Sequence, residues 1–145
     1  MKKIKERQTS ASSDAVAPES YFRQQLAEDK FVIQRCERTG RAVFYPRAIS
    51  PFGGGALHWE RASGRGEIYS VSVVRRRPER GGDYNVVLVD LEEGARLMST
   101  VVDVDSADVH IGMAVQARIE HPEGCDSRLV FVPATQANQI KGESA

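Results

Sequence analysis

Two cysteines, three histidines and a dense set of arginines are the side chains that could do chemistry in this 145-residue chain. Cys36 and Cys125 are too few for a disulfide framework. Cys125 sits in a loop-like run, Pro122-Glu-Gly-Cys-Asp126, where neither a base nor an oxyanion hole can be placed beside it. His58, His110 and His121 stand apart, without the His-x-x-x-His or His-Glu-x-x-His spacing of a metal site. Glu92-Glu93 lies between two strand-like runs and reads as solvated turn charge. Gly53-Gly54-Gly55 has the texture of a phosphate loop, but no Gly-Lys-Ser/Thr follows and no helix begins there. Nothing assembles a nucleophile, a base and an orienting group, so no enzyme is expected. Binding is better supplied. Arg75, Arg76, Arg77 and Arg80 cluster in one polar stretch, with Arg47 and Arg65 expected near them. Planar guanidinium forks of this kind suit phosphates or an acidic rim on a protein.

Composition narrows the class. Hydrophobic residues make up 41% and charged residues 28%, and 20 Lys plus Arg balance 20 Asp plus Glu. Zero net charge speaks against a dedicated nucleic-acid binder. No apolar run approaches the roughly 18 residues of a membrane span. The basic start MKKIKERQTS leads into polar sequence and not into the apolar core of a signal peptide. A cytoplasmic protein without membrane contact is the expectation.

The elements that must hold these side chains are legible in outline. Residues 1–18 and 135–145 lack apolar periodicity and read as disordered tails. Pro18 and Glu19 open an amphipathic helix of about three turns, with Tyr21, Phe22, Leu26 and, less regularly, Phe31 on one face. Residues 31–36 and 42–45 flank the Thr39-Gly40 turn as a small hairpin. A loop rich in Pro and Gly follows to residue 56. Residues 57–134 read as all-β. After a short strand at 57–60 come runs at 67–74, 84–91, 95–102, 111–119 and 128–132. Five strands near ten-residue spacing, with one longer link, predict a five-stranded Greek-key barrel of OB type and a mainly β fold.

The order of the pieces is itself informative: helix, Cys36 knuckle, Pro46-Arg47, Trp59, Ser63-Gly-Arg-Gly66, Leu91-Glu-Glu-Gly94-Ala-Arg-Leu-Met-Ser99 and Ile111-Gly-Met-Ala-Val115. This order resembles the rubredoxin-like zinc-ribbon plus OB-fold proteins first catalogued as domain of unknown function thirty-five. They are acyl-CoA-associated accessory proteins, often partnered with thiolase-like enzymes. In that family the ribbon reads Cys-x-x-Cys-Gly, then Pro-Arg-x-x-Cys-Pro-x-Cys. Laid onto this chain, only Cys36 keeps a ligand, and Thr39, Ser50 and Gly53 stand at the other three positions. The resemblance therefore implies a degenerate ribbon over 19–56 with zinc absent. It also implies a non-catalytic accessory subunit of a thiolase-like or related acyl-CoA enzyme, contacting the coenzyme A moiety or the enzyme itself.

The candidates are Tyr21, Phe22, Leu26 and Trp59 for a partner interface. Arg47, Arg75, Arg76, Arg77 and Arg80 are the candidates for phosphate. A free-standing OB module for single-stranded nucleic acid is the alternative, and a homo-oligomer remains open.

Overall fold

The computed structural model describes residues 17–134. Residues 1–16 and 135–145, read above as tails, lie outside the described residues, whereas Pro18 is already helical. Helix α1 (Pro18–Ala27) begins with proline, whose fixed φ suits a first turn. An ion pair one turn apart, Arg23 to Glu19 at 2.6 Å, laces its exposed side. It stops where Asp29 turns to φ 67° and the Lys30 N–H closes back on the Gln25 carbonyl at 2.8 Å.

Two antiparallel sheets follow. The first, in the order β2-β1-β3, contains β1 (Val32–Cys36), β2 (Ala42–Val43) and β3 (Leu57–Arg61). The expected hairpin is present, with Gly40 at φ 72° in the turn. β3, the short strand read at the head of the all-β stretch, pairs along β1 and belongs to this sheet.

The second sheet holds the five expected strands: β4 (Arg65–Val74), β5 (Tyr84–Leu91), β6 (Arg96–Ser99), β7 (Ala114–Glu120) and β8 (Arg128–Pro133), in the order β6-β5-β4-β7-β8. No continuous ladder closes it into a barrel. β6 is four residues long, and beyond it one parallel bridge, Val101 with Phe131, joins the two edges. The Phe131 N–H reaches the Thr100 carbonyl at 2.9 Å, and the Val102 N–H reaches the Phe131 carbonyl at 2.8 Å. That short contact covers part of two edges that would otherwise lie open.

One core serves both sheets. Along β5, Asn85, Val87, Val89 and Leu91 alternate inward and are buried, meeting Ile68, Leu97, Val115 and Phe131. Phe31 and Ile33, from in front of and within β1, enter the same cluster. The hairpin segment is therefore anchored in the hydrophobic core of the five-stranded sheet. Gly66 marks how closely β4 and β5 approach: a Cβ there would lie 2.6 Å from Val89 Cγ1 and 2.9 Å from the Asp90 carbonyl oxygen. No described helix is long and apolar enough to cross a membrane.

Candidate functional site

The four positions where the resemblance places zinc ligands lie at the end of β1 and in the loop beyond β2. Cys36 is fully buried, and Ser50 donates its hydroxyl to Cys36 Sγ at 3.1 Å. The Ser50 hydroxyl, and after it that of Thr39, draw the Cys36 thiol down to about 7, against the opposing effect of burial. Ser50 Oγ also accepts the Phe52 N–H at 3.0 Å, and Thr39 Oγ1 accepts the Arg41 N–H at 3.3 Å. One thiol, two hydroxyls already engaged with the protein, and a glycine do not fit a zinc ion, which takes four thiolate, imidazole or carboxylate donors. Among the described residues no group of three or more His, Cys, Asp or Glu could hold a metal ion.

Other contacts hold the two knuckles. Arg38 Nη2 donates to the Phe52 carbonyl at 3.4 Å, and the Arg41 guanidinium lies 3.9 Å over the Phe52 ring. The buried Gln34 clamps Arg47 by its backbone, accepting the Arg47 N–H at 2.7 Å and donating to the Arg47 carbonyl at 2.8 Å.

The aromatic face of α1 is turned onto its own chain. Tyr21 stacks against Trp59 at 4.8 Å, Phe22 lies edge-on to Phe44 at 5.3 Å and to Phe31 at 6.4 Å, and Leu26 is 4% exposed. Of the four interface candidates, Leu26 is thus enclosed, and the other three are half-buried.

The arginines separate into three places. Arg65 starts β4 and Arg75 follows its end, so ten residues of extended chain, about 33 Å, keep them apart. Arg65 instead forks onto Glu92, with Nε 3.0 Å from Oε1 and Nη2 2.7 Å from Oε2. This pairing with Arg65, followed by the Ser63 hydroxyl, holds the Glu92 carboxyl below its ordinary range. Beside it Glu93 Oε2 accepts the Ser63 N–H at 2.6 Å. The Glu92-Glu93 pair is therefore the buckle between the β5–β6 turn and the entry to β4, and not merely solvated turn charge. Arg47 lines a cleft between the two sheets with Arg41, Arg96 and Glu93. Of the six arginines singled out in the sequence, Arg75, Arg76, Arg77 and Arg80 come together, in the loop between β4 and β5. Asp83 accepts from Arg75 at 3.2 Å, and Glu79 stands 4.0 Å from Arg77. Arg76 lies 4.7 Å over the ring of Tyr84.

One array escaped the sequence reading, because 92 residues separate two of its members. His121 Nδ1 lies 2.7 Å from Ser127 Oγ, and its Nε2 lies 3.1 Å from Asp29 Oδ1. The residue types match a hydrolase triad, but the Asp29 side chain is 75% exposed, whereas an orienting acid works from a buried position. Here the imidazole ties the end of α1 to the β7–β8 loop.

Comparison with known proteins follows the same division of the chain. A family model described as the ChsH2 C-terminal OB-fold domain matches residues 59–120, and one for the ChsH2 rubredoxin-like zinc ribbon domain matches residues 23–49. A DUF35 domain-containing scaffold protein of Methanocaldococcus jannaschii is 38% identical over 88 residues, 57% of this chain and 62% of that protein. The matched region thus spans less than two thirds of that relative's length. One of the same description from Pyrococcus furiosus is 30% identical over 100 residues, 66% of this chain and 73% of that protein. A probable enoyl-CoA hydratase alpha subunit of Thermomonospora curvata is 33% identical over 90 residues, 59% of this chain but 28% of that protein. Among solved structures, a chain of the Ltp2-ChsH2(DUF35) aldolase superposes with a TM-score of 0.71 at 28% identity, covering 81% of this chain and 94% of that one. A DUF35 protein of Sulfolobus solfataricus superposes with a TM-score of 0.57 at 13% identity over 78% of this chain and 82% of that one, a likeness of fold alone.

Proposed function

The chain belongs to the DUF35 family, and from that premise we propose that it is a non-catalytic accessory subunit of an enzyme acting on acyl-CoA, with no zinc in its ribbon. The observation that carries the reading is the likeness to nearly the whole of a DUF35 chain that is described with Ltp2 as an aldolase. The probable enoyl-CoA hydratase subunit among the relatives supports the acyl-CoA part of the reading. A thiolase-like enzyme, an aldolase or a hydratase would each suit this role. The cytoplasm is the setting we propose, where free thiols such as Cys36 and Cys125 are stable. In this reading the arginine loop meets either the phosphates of coenzyme A or carboxylates of the enzyme.

Support for the non-catalytic part comes from the exposed setting of His121 and Asp29 beside Ser127. Support for the metal-free part comes from Thr39, Ser50 and Gly53 at ligand positions. Co-expression of the full chain with an acyl-CoA enzyme encoded near its gene should yield a complex that stays together through gel filtration. Separate elution of the two would overturn the reading. Two measurements on the purified chain test its parts. Elemental analysis should find zinc well below stoichiometric. Acetyl-CoA should not be hydrolysed, and turnover that disappears in Ser127→Ala would make the chain an enzyme after all.

A further inference from the structure

We propose that the partner enzyme docks on the outward face of β4, β5 and β6 together with the loop 75–83, and that it meets this surface with an apolar patch rimmed by carboxylates. The inference rests on the accessory-subunit reading above.

The face is built by alternation. Between the buried positions of β5 stand Tyr84, Val86, Leu88 and Asp90, which point away from the core. Register puts Val74 opposite Tyr84, Ser72 opposite Val86, and Ser70 and Met98 on either side of Leu88. Tyr69 is the extra residue where pairing skips from Ile68 to Ser70, and its ring lies 3.5 Å from the Arg96 guanidinium. Met98 is 56%, Tyr69 50% and Tyr84 41% exposed. A groove of about 690 Å³ opens beside them, lined in part by Arg76, Tyr84, Val86, Met98, Val102 and Val104, with room for an inserted side chain.

Two observations choose the occupant. Tyr, Met and Arg are the residues that protein interfaces favour, and the unbranched thioether of Met adapts to a partner's shape. The loop at one end carries four arginines against Glu79 and Asp83, a local excess of positive charge in a chain of net charge zero. An acidic rim on a protein complements that excess and would steer the encounter. Single-stranded nucleic acid fits less well. Base stacking needs free aromatic faces, and Tyr69 and Tyr84 each already carry a guanidinium. The aromatic face of α1, the other candidate, is spent on Trp59, Phe31 and Phe44.

The test uses the full chain co-expressed with an acyl-CoA enzyme encoded near its gene. Met98→Glu, and separately the pair Arg77→Glu with Arg80→Glu, should each weaken the complex about 30-fold or more, the scale of an interface hot spot. Ile49→Glu, an exposed ribbon position, should leave it intact. A photo-crosslinker at position 98 should join the enzyme, and one at position 49 should not. All of these variants change exposed residues, so circular dichroism should match that of the unaltered chain. A complex that forms but ignores the Met98 and arginine changes overturns the surface while sparing the accessory-subunit reading. Failure of the unaltered chain to form any complex overturns both. Two results would replace the enzyme as occupant: a homodimer of the isolated chain that Met98→Glu dissociates, or micromolar oligothymidine binding that the arginine changes abolish.

Discussion

Cys36 carries two opposed physical settings at once. Hydrogen bonds from Ser50 and Thr39 favour its thiolate, drawing the thiol to about 7, a value that on a surface would mark a reactive cysteine. Yet it is wholly enclosed, while Cys125 is exposed. Access should decide, because an alkylating agent must reach the sulfur before its protonation state matters. Iodoacetamide applied to the native chain at pH 7.5 should modify Cys125 first, with peptide mass spectrometry finding Cys36 at least about ten-fold slower until denaturant is added. Rapid native alkylation of Cys36 would show that the knuckle opens readily and that its Arg38, Arg41 and Gln34 contacts are weak substitutes for a metal. Ser50→Ala removes the donor to Cys36 and the acceptor of the Phe52 N–H together, and should raise the native rate at Cys36 by freeing the loop.

At the scale of elements, the link between β6 and β7 poses the harder problem. Residues 100–113 contain only the Val101 bridge and the short helical turn Ser106–Asp108, yet they must return across the open side of the sheet. Asn85 holds them. Its Nδ2 donates to the Val101 carbonyl and to Ser106 Oγ, both at 3.0 Å, and its Oδ1 accepts the Val101 N–H at 2.8 Å. Asn85 is 2% exposed, so truncation strands buried backbone groups without water. Asn85→Ala should lower stability by about 2–4 kcal/mol, read as an earlier urea midpoint with unchanged slope. A loss under about 0.5 kcal/mol would mean that the link is held elsewhere. This residue also shows where sequence reading ends. The five strands were legible because Val87, Val89 and Leu91 alternate, and the hairpin because Gly40 permits its turn. Asn85 and Gln34 look like turn and surface residues, and their inward aim comes from partners 13 and 16 positions away. The buckle of Ser63 and Arg65 on Glu92 and Glu93 spans about thirty residues and has no local signature. The helix face was legible as apolar, but not that Trp59 and Phe44 would cover it. Cys36, Thr39, Ser50 and Gly53 could be aligned to a ribbon, yet the arginine contacts that hold the two knuckles were invisible.

Across the whole molecule, arginine–carboxylate pairs stitch elements that the core alone does not align. Arg35 meets Glu60 between β1 and β3 at 2.7 Å, Arg65 meets Glu92 at the junction of the sheets, and Arg118 meets Asp103 beside the long link at 2.8 Å. Glu120 takes Arg128 at 2.9 Å and Arg118 at 3.3 Å. In each case the hydrogen-bonded guanidinium holds the carboxyl below its ordinary range: Arg35 for Glu60, Arg65 for Glu92, Arg118 for Asp103 and chiefly Arg128 for Glu120. A carboxyl that is more acidic when folded binds fewer protons than in the unfolded chain. Stability from these pairs is therefore complete above the ordinary carboxylate values of 4.5 for Glu and 3.8 for Asp, and drains away as pH falls through the lower folded values. Melting temperature should stay level from about pH 6, below the range in which the Cys36 thiol titrates, to about pH 5 and then decline on acidification. All four pairs are partly open to solvent, so the decline should be gradual and should shrink in 0.5 M salt. Glu60→Gln removes the charge of the least exposed pair with little change of shape, and should flatten the acid limb while lowering stability at neutral pH. A melting temperature indifferent to pH from 6 to 3 would show that the core holds both sheets unaided, and that the arginine forks serve only to set their angle.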